Sequence, residues 1–182
     1  MPQDPSEWFE IGHYRSAAEQ AFAETLRDRA HAWRIPGSSP DHTLVGRGGD
    51  DRLVLALDIS DQESKVCLRT LRIEFDGTGV VLGEDETGQL VTDLDPTLPD
   101  VFARRDSGGT PALFASFAAD WVEQELRRRI ERHEWTRDGF CHRRWLFADT
   151  GKSIVWSDSC NTPRSNLGPP DRIIVVRDFS QA

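Results

Sequence analysis

The stretch R-L-V-L-A-L-D-I-S-D-Q-E-S-K-V-C-L-R-T-L-R-I-E-F-D-G-T-G-V-V-L-G, from Arg52 to Gly83, decides the fold. Leu53, Leu55, Leu57 and Ile59 alternate with other residues across Arg52 to Ile59. Across Lys65 to Phe75, Leu71, Ile73 and Phe75 alternate with Arg72 and Glu74. A period of two places successive side chains on opposite faces, so both segments read as β-strands with an apolar face. Asp76-Gly77-Thr78-Gly79 is made of turn residues and returns the chain into Val80 to Gly83. Asp85-Glu86-Thr87-Gly88 predicts a further turn into Leu90 to Thr92. Connections this short require antiparallel neighbours, hence a meander.

Helical signals flank the meander. Ser16 with Glu19 three residues on forms a capping box, and Ala18, Phe22, Leu26, Ala30 and Trp33 follow at helical spacing until Pro36-Gly37. Thr110 is suited to an N-cap, and Pro111 to the first helical position, where its missing donor costs nothing. The second helix is expected to present Leu113, Phe114, Phe117, Trp121, Val122, Leu126 and Ile130 on one face. Arg127, Arg128, Arg129 and Arg132 then fall in its last turns, where cations complement the macrodipole. Phe22, Phe117, Trp121 and Leu126 are the expected contacts of the helices with the sheet.

Between Phe140 and Asn161 the sequence predicts a hairpin turning at Thr150-Gly151. In that register Cys141 faces Cys160, Arg143 faces Asp158, Trp145 faces Trp156 and Phe147 faces Ile154, which are four chemically sensible pairs. A rival register makes Asp149-Thr150-Gly151 a three-residue loop with a bulge and shifts every pair by one. The first register is preferred because it matches all four pairs. A final strand is expected from Arg172 to Val176.

These elements define an α+β class in which two helices pack on an antiparallel sheet, in the order helix, meander, helix, hairpin, final strand. A length of 182 residues fits one domain over residues 1–182, and six Trp and nine Phe supply core volume although only 37% of the chain is hydrophobic. The opening M-P-Q-D-P-S-E-W-F-E has no positive n-region followed by an apolar run, and no segment is long and apolar enough to span a bilayer. Three cysteines without a C-x-x-C pair fit a reducing compartment, so the expected location is cytoplasmic. Basic residues are almost all Arg, with only Lys65 and Lys152 as lysines, a usage associated with GC-rich bacterial genomes.

The net charge of -9 is unevenly placed: residues 1–103 hold nine Lys/Arg against twenty Asp/Glu, and residues 104–182 hold thirteen against eleven. Between Arg72 and Arg104 stand Glu74, Asp76, Glu84, Asp85, Glu86, Asp93, Asp95 and Asp100 with no Lys, Arg or His. A one-sign stretch repels phosphate backbones and anionic lipid and attracts a basic protein surface. Glu84, Asp85, Glu86, Asp93 and Asp95 are therefore the expected partner-binding residues, on an exposed edge. The expected partner is a basic protein, with no nucleic acid and no membrane, and a homodimer is compatible with the sequence.

Other chemistries find weaker patterns, and no catalytic residue, metal ligand or cofactor is assigned. Zinc on Cys141, Cys160, His133 and His142 conflicts with strand alternation, which sends Cys141 and His142 to opposite faces. Asp149-Thr150-Gly151-Lys152-Ser153 ends like a phosphate loop but has Leu146 where that loop needs Gly, and strands flank it. Gly46-Arg47-Gly48-Gly49 lacks dinucleotide spacing. Ser157 to Cys160 with His142 lacks a nucleophile elbow. Asp58, Asp61 and Glu63 lack the spacing of an EF-hand loop.

In element order the chain resembles the small acidic chaperones of bacterial secretion systems, and in size and charge it is similar to toxin-neutralising immunity proteins. Both likenesses rest on topology and composition, without a shared motif. The functional expectation is a non-catalytic cytoplasmic module that binds a basic protein through an acidic surface. Its alternative is a small enzyme or ligand-binding protein using the Trp, Arg and His residues of the C-terminal hairpin.

Overall fold

The computed structural model describes residues 7–33, 37–85, 92–137, 139–158 and 167–178. The fold is α+β, with two α-helices and two antiparallel sheets among the described residues, and the chain divides into two compact units, Met1–Gln124 and Glu125–Ala182. Among the described residues no helix is long and apolar enough to cross a membrane.

In the first unit the alternating segments form a five-stranded antiparallel meander: β1 (Thr43–Arg47), β2 (Leu53–Asp61), β3 (Val66–Phe75), β4 (Gly79–Glu84) and β5 (Phe102–Arg105). Leu53 faces Phe75, Leu55 faces Ile73, Leu57 faces Leu71, and Val80 and Leu82 continue the same face across β4. The helices cover this apolar face. Phe22 of α1 (Ala17–Ala30) stacks on Phe75 with ring centroids 4.2 Å apart, and Phe114 of α2 (Pro111–Leu126) lies 6.3 Å from the same ring. Burying such side chains contributes about 1.5 to 3 kcal/mol each.

Local signals place these elements. Ser16 Oγ accepts from Glu19 N at 3.1 Å, capping α1, and the Glu19 carboxylate accepts from Arg15 N at 3.0 Å, one residue before the N-cap that a capping box would use. Thr110 Oγ1 accepts from Leu113 N, capping α2 as expected. Asp76 Oδ1 accepts from Thr78 N and Gly79 N, which closes the turn from β3 into β4. The strand expected at Leu90 to Thr92 lies, except for Thr92, outside the described residues. On the sheet, the neighbour beyond β4 is β5, a strand that the Arg-rich sequence around Phe102 did not signal. Phe22 and Leu126 are fully buried and Trp121 is buried, whereas Phe117 is only half-buried, with the Arg104 guanidinium 5.3 Å from its ring centroid.

The second unit is a four-stranded sheet ordered β8-β7-β6-β9, from β6 (Ile130–Arg137), β7 (Phe140–Phe147), β8 (Ser153–Asp158) and β9 (Arg172–Arg177). Two expectations are corrected here. The helical face does not extend to Ile130, because α2 stops at Leu126 and the arginine-rich segment turns into β6. Ile130 and Arg132 are buried while Glu131 and His133 on the other face are partly exposed, a strand alternation hidden within an apparent helical spacing.

The hairpin adopts the rival register. His142 faces Asp158, Arg143 faces Ser157, Arg144 faces Trp156 and Trp145 faces Val155, so Trp145 does not face Trp156. The turn chemistry explains the shift. Gly151 sits in left-handed backbone at φ +68° and donates to Phe147 O at 2.8 Å, while Phe147 N donates to Lys152 O at 3.0 Å. Gly151 and Lys152 thus oppose Phe147 together, forming a bulge, and a second irregularity follows between Trp145 and Leu146. Cys160, and with it the expected Cys141–Cys160 pair, lies outside the described residues. Cys141 is opposite Thr136 on β6.

Gly151→Ala should destabilise the hairpin by about 1 to 2 kcal/mol. The cost is purely conformational, since an added Cβ meets nothing within 4 Å. Denaturant unfolding should show the loss, and Gly151→Asn, which tolerates left-handed backbone, should recover part of it. A second test uses Glu19, whose carboxyl is held below the ordinary glutamate range chiefly by its hydrogen bond from Arg47, at 2.6 and 2.9 Å to the two oxygens. A depressed folded pKa contributes stability that is present at neutral pH and lost as pH falls through the folded value. Glu19→Gln should therefore lower stability at pH 7 by about 1.5 to 3 kcal/mol and flatten the acid limb of the stability curve below about pH 4.

Candidate functional site

The second face of the five-stranded sheet carries charge where a two-layer fold is usually open to water. Thr70, Arg72 and Glu74 on β3 point to this face, opposite Asp58, Ala56 and Val54 on β2. Arg72 and Glu74 are each only 1% exposed. Small neighbours make room for the guanidinium: Arg72 lies between Ala56 and Gly83 on the flanking strands.

The two buried charges anchor a larger cluster. Arg72 Nη2 is 2.7 Å from Glu74 Oε1, and Arg72 Nη1 is 3.3 Å from Asp85 Oδ2 and donates to Thr92 O at 2.5 Å. Glu74 also accepts from Arg52 Nη1 at 2.8 Å and from Leu94 N at 2.9 Å. Arg52 in turn grips Asp50 through two hydrogen bonds of 2.5 Å, and these, with Glu74, raise its already high pKa. Asp93 completes the group at 3.8 Å from both Arg52 and Arg72. Such charge-assisted bonds are the strong ones where water is excluded.

The cluster fastens the segment after β4 onto this face. A Cβ at Gly83 would come within 3.1 Å of Leu94 and 3.2 Å of Val101, so a larger residue at 83 would make these side chains give by a few tenths of an ångström. Of the five expected partner-binding residues, Asp85 is therefore misplaced on an exposed edge: it is buried against Arg72. Glu84 is half-buried and paired with Arg69 at 3.2 Å, and Glu86 lies outside the described residues. Asp93 and Asp95 are exposed. The Asp95 carboxyl is held below its usual range by Thr97, whose backbone N and hydroxyl donate to it at 2.9 and 2.7 Å.

The arginines that neutralise the acidic stretch lie outside it in sequence, which is why charge counting missed them. Arg72 and Glu74 two residues apart on an interior strand, opposite Ala56 and Gly83, are the signal that was present. The same surface segment exposes two large apolar side chains, Leu98 at 53% and Phe102 at 48%, next in sequence to exposed Asp93, Asp95 and Asp100. Asp61 has a structural use as well: it is buried, and its Oδ1 accepts from Glu63 N and Ser64 N in the turn between β2 and β3.

In the second unit the aromatic and basic residues of the hairpin converge on one face. Trp135 and Trp156 stack at 5.8 Å and 17°, the Arg144 guanidinium is 5.3 Å from the Trp156 centroid, and His133 is 6.1 Å from Trp135. Trp135 Nε1 donates to Gly168 O at 3.0 Å, and His142 on this face is fully buried. Ser157 and Cys141 belong to the opposite face, so the register separates the Ser157 hydroxyl from the His142 imidazole.

No family model, curated protein or solved structure matches the chain.

Replacing Arg72 by Met leaves buried Glu74 and Asp85 without their shared cation and should cost about 3 to 5 kcal/mol in urea unfolding. Arg72→Met with Glu74→Met and Asp85→Leu removes the cation and both buried carboxylates and should recover a large part of that loss, because a buried ion cluster contributes little net stability over apolar residues. A loss under about 1 kcal/mol for Arg72→Met alone would show that the cluster does not hold this face together.

Proposed function

We propose that the chain is a non-catalytic, cytoplasmic protein-binding module whose first unit engages a basic protein partner through the surface of residues 93–102. The observation that carries this reading is the exposure of Leu98 and Phe102 on the segment that also exposes Asp93, Asp95 and Asp100. Exposed apolar anchors on a segment that also exposes carboxylates suit recognition in which burial supplies affinity and the field supplies encounter rate and partner choice. Glu84 is half-buried and paired with Arg69. Asp85 acts behind the surface by holding Arg72.

Charge distribution supports the same partner class. The first unit holds eleven Lys/Arg against twenty-three Asp/Glu, a field that disfavours nucleic acid and anionic lipid. An immunity-like or chaperone-like role is the form of protein binding that size, charge and element order resemble. A ligand-binding reading is favoured by one feature, the half-buried Trp156 ring, which is backed by buried Trp135 and has the Arg144 guanidinium beside it.

Cross-linking in cell extract followed by mass spectrometry should yield a basic partner, whose association and dissociation rates can then be measured. Association with the native chain should slow as ionic strength rises through about 0.15 M, where the screening length is about 8 Å. Asp93→Asn with Asp95→Asn and Asp100→Asn should lose most of that salt dependence, while Leu98→Ser should mainly speed dissociation. Equal rates and salt slopes for all three proteins would overturn the assignment of this surface.

A further inference from the structure

One face of the second sheet brings together a line of polar side chains unrelated to the acidic surface. Arg172 on β9 is opposite Glu134 on β6, Glu134 is opposite Arg143 on β7, and Arg143 is opposite Ser157 on β8. Directly opposed residues share a face, so four strands place Arg172, Glu134, Arg143 and Ser157 in one row. With strands about 4.8 Å apart, the two arginine backbones stand about 10 Å from each other with the carboxylate between them.

Glu134 is asked to serve three guanidiniums. Its Oε1 lies 2.9 Å from Arg132 Nε and 3.3 Å from Arg143 Nε, and its Oε2 lies 4.0 Å from Arg172 Nη1. Arg132 is buried and Glu134 is largely so, while Arg143 and Arg172 are 41% and 68% exposed in their side chains. Among the described residues the Arg143 Nε, shielded from solvent, makes no hydrogen bond, and the Arg172 contact is too long to be one. Two solvent-facing guanidiniums thus flank a carboxylate that satisfies neither fully. A guanidinium presents five donors in a fixed fork suited to oxyanions.

We propose that this row is an oxyanion site that takes a phosphate group, held between the Arg143 and Arg172 guanidiniums with the exposed Ser157 hydroxyl as a further donor. A phosphate carries about two negative charges near neutral pH and presents several acceptor oxygens at once, so it can bridge two guanidiniums that a single carboxylate cannot both satisfy. Glu134 holds the arginines upright and, as a competing anion, keeps the site weak. The site does not depend on the protein-binding reading of the first unit.

The test is calorimetric titration of the full chain with inorganic phosphate and, separately, with phenyl phosphate, the ionic strength being held constant with sodium chloride. Saturable binding of phosphate is expected, with Arg143→Gln and Arg172→Gln each weakening it about tenfold, the worth of one charge-assisted hydrogen bond. Arg128→Gln should leave affinity unchanged, because Arg128 pairs with Glu125 and Asp149 instead. Arg172 is exposed enough that its replacement keeps the fold, which circular dichroism checks. Equal binding of both ligands supports a site for the phosphate group wherever it is carried, and binding of inorganic phosphate alone supports the free ion as occupant. Heat that fails to saturate, or affinity unaltered by Arg143→Gln and Arg172→Gln, would overturn the site.

Discussion

The buried pairing of Arg72 with Glu74 is the constraint on which the first unit turns. Both charges lie on the central strand of a five-stranded sheet, on the face that the helices leave uncovered. Desolvating them costs several kcal/mol per ion unless each finds charged and hydrogen-bonded partners. The chain meets that demand by bringing Asp85, Thr92, Asp93 and Leu94 back over the sheet. The route of the segment after β4 is thus tied to two charges on β3, and Leu98, Asp95 and Asp100 are exposed along that route.

The opposite face of the same sheet is held by a different force. Phe22, Phe75 and Phe114 meet with Leu53, Leu55, Ile73 and Leu82 nearby, all of them buried. This contact is apolar and tolerant of small shifts, whereas the ion cluster is intolerant of losing one member. The sheet therefore has a forgiving face and an exacting one. Substitutions of equal volume should be felt very differently on the two.

What was legible in the sequence depended on whether a residue's neighbours in space were also its neighbours along the chain. Leu53 to Ile59 and Leu71 to Phe75 announced their strands by alternation, and Ser16, Thr110 and Asp76 announced their caps and turn by local hydrogen bonding. Ile130 was misread because, four residues after Leu126, it prolongs a helical spacing, and only Arg132 and Trp135 beyond it carry the change to strand. The hairpin register was misread because the favoured pairs were judged by side-chain chemistry, while Gly151 in left-handed backbone fixed the turn as a bulged loop. The acidic residues were legible as a charge run but not as a site, since the cations that neutralise Glu74 and Asp85 sit on β3 and at the start of β2.

The two sheets handle their charged residues in opposite ways. In the first, several carboxylates gather around Arg52 and Arg72, and the cluster is closed beneath the segment it fastens. In the second, several guanidiniums gather around Glu134, and the outer two remain open to water. A closed cluster holds structure in place, because each buried charge lies against an opposite one and is shut away from water. An open cluster with more donors than acceptors still has hydrogen bonds to make, and an oxyanion is the simplest species that can make them. The same ingredient, arginine opposed to carboxylate across neighbouring strands, thus serves as a fastening where acids are in excess and as a receptive surface where bases are.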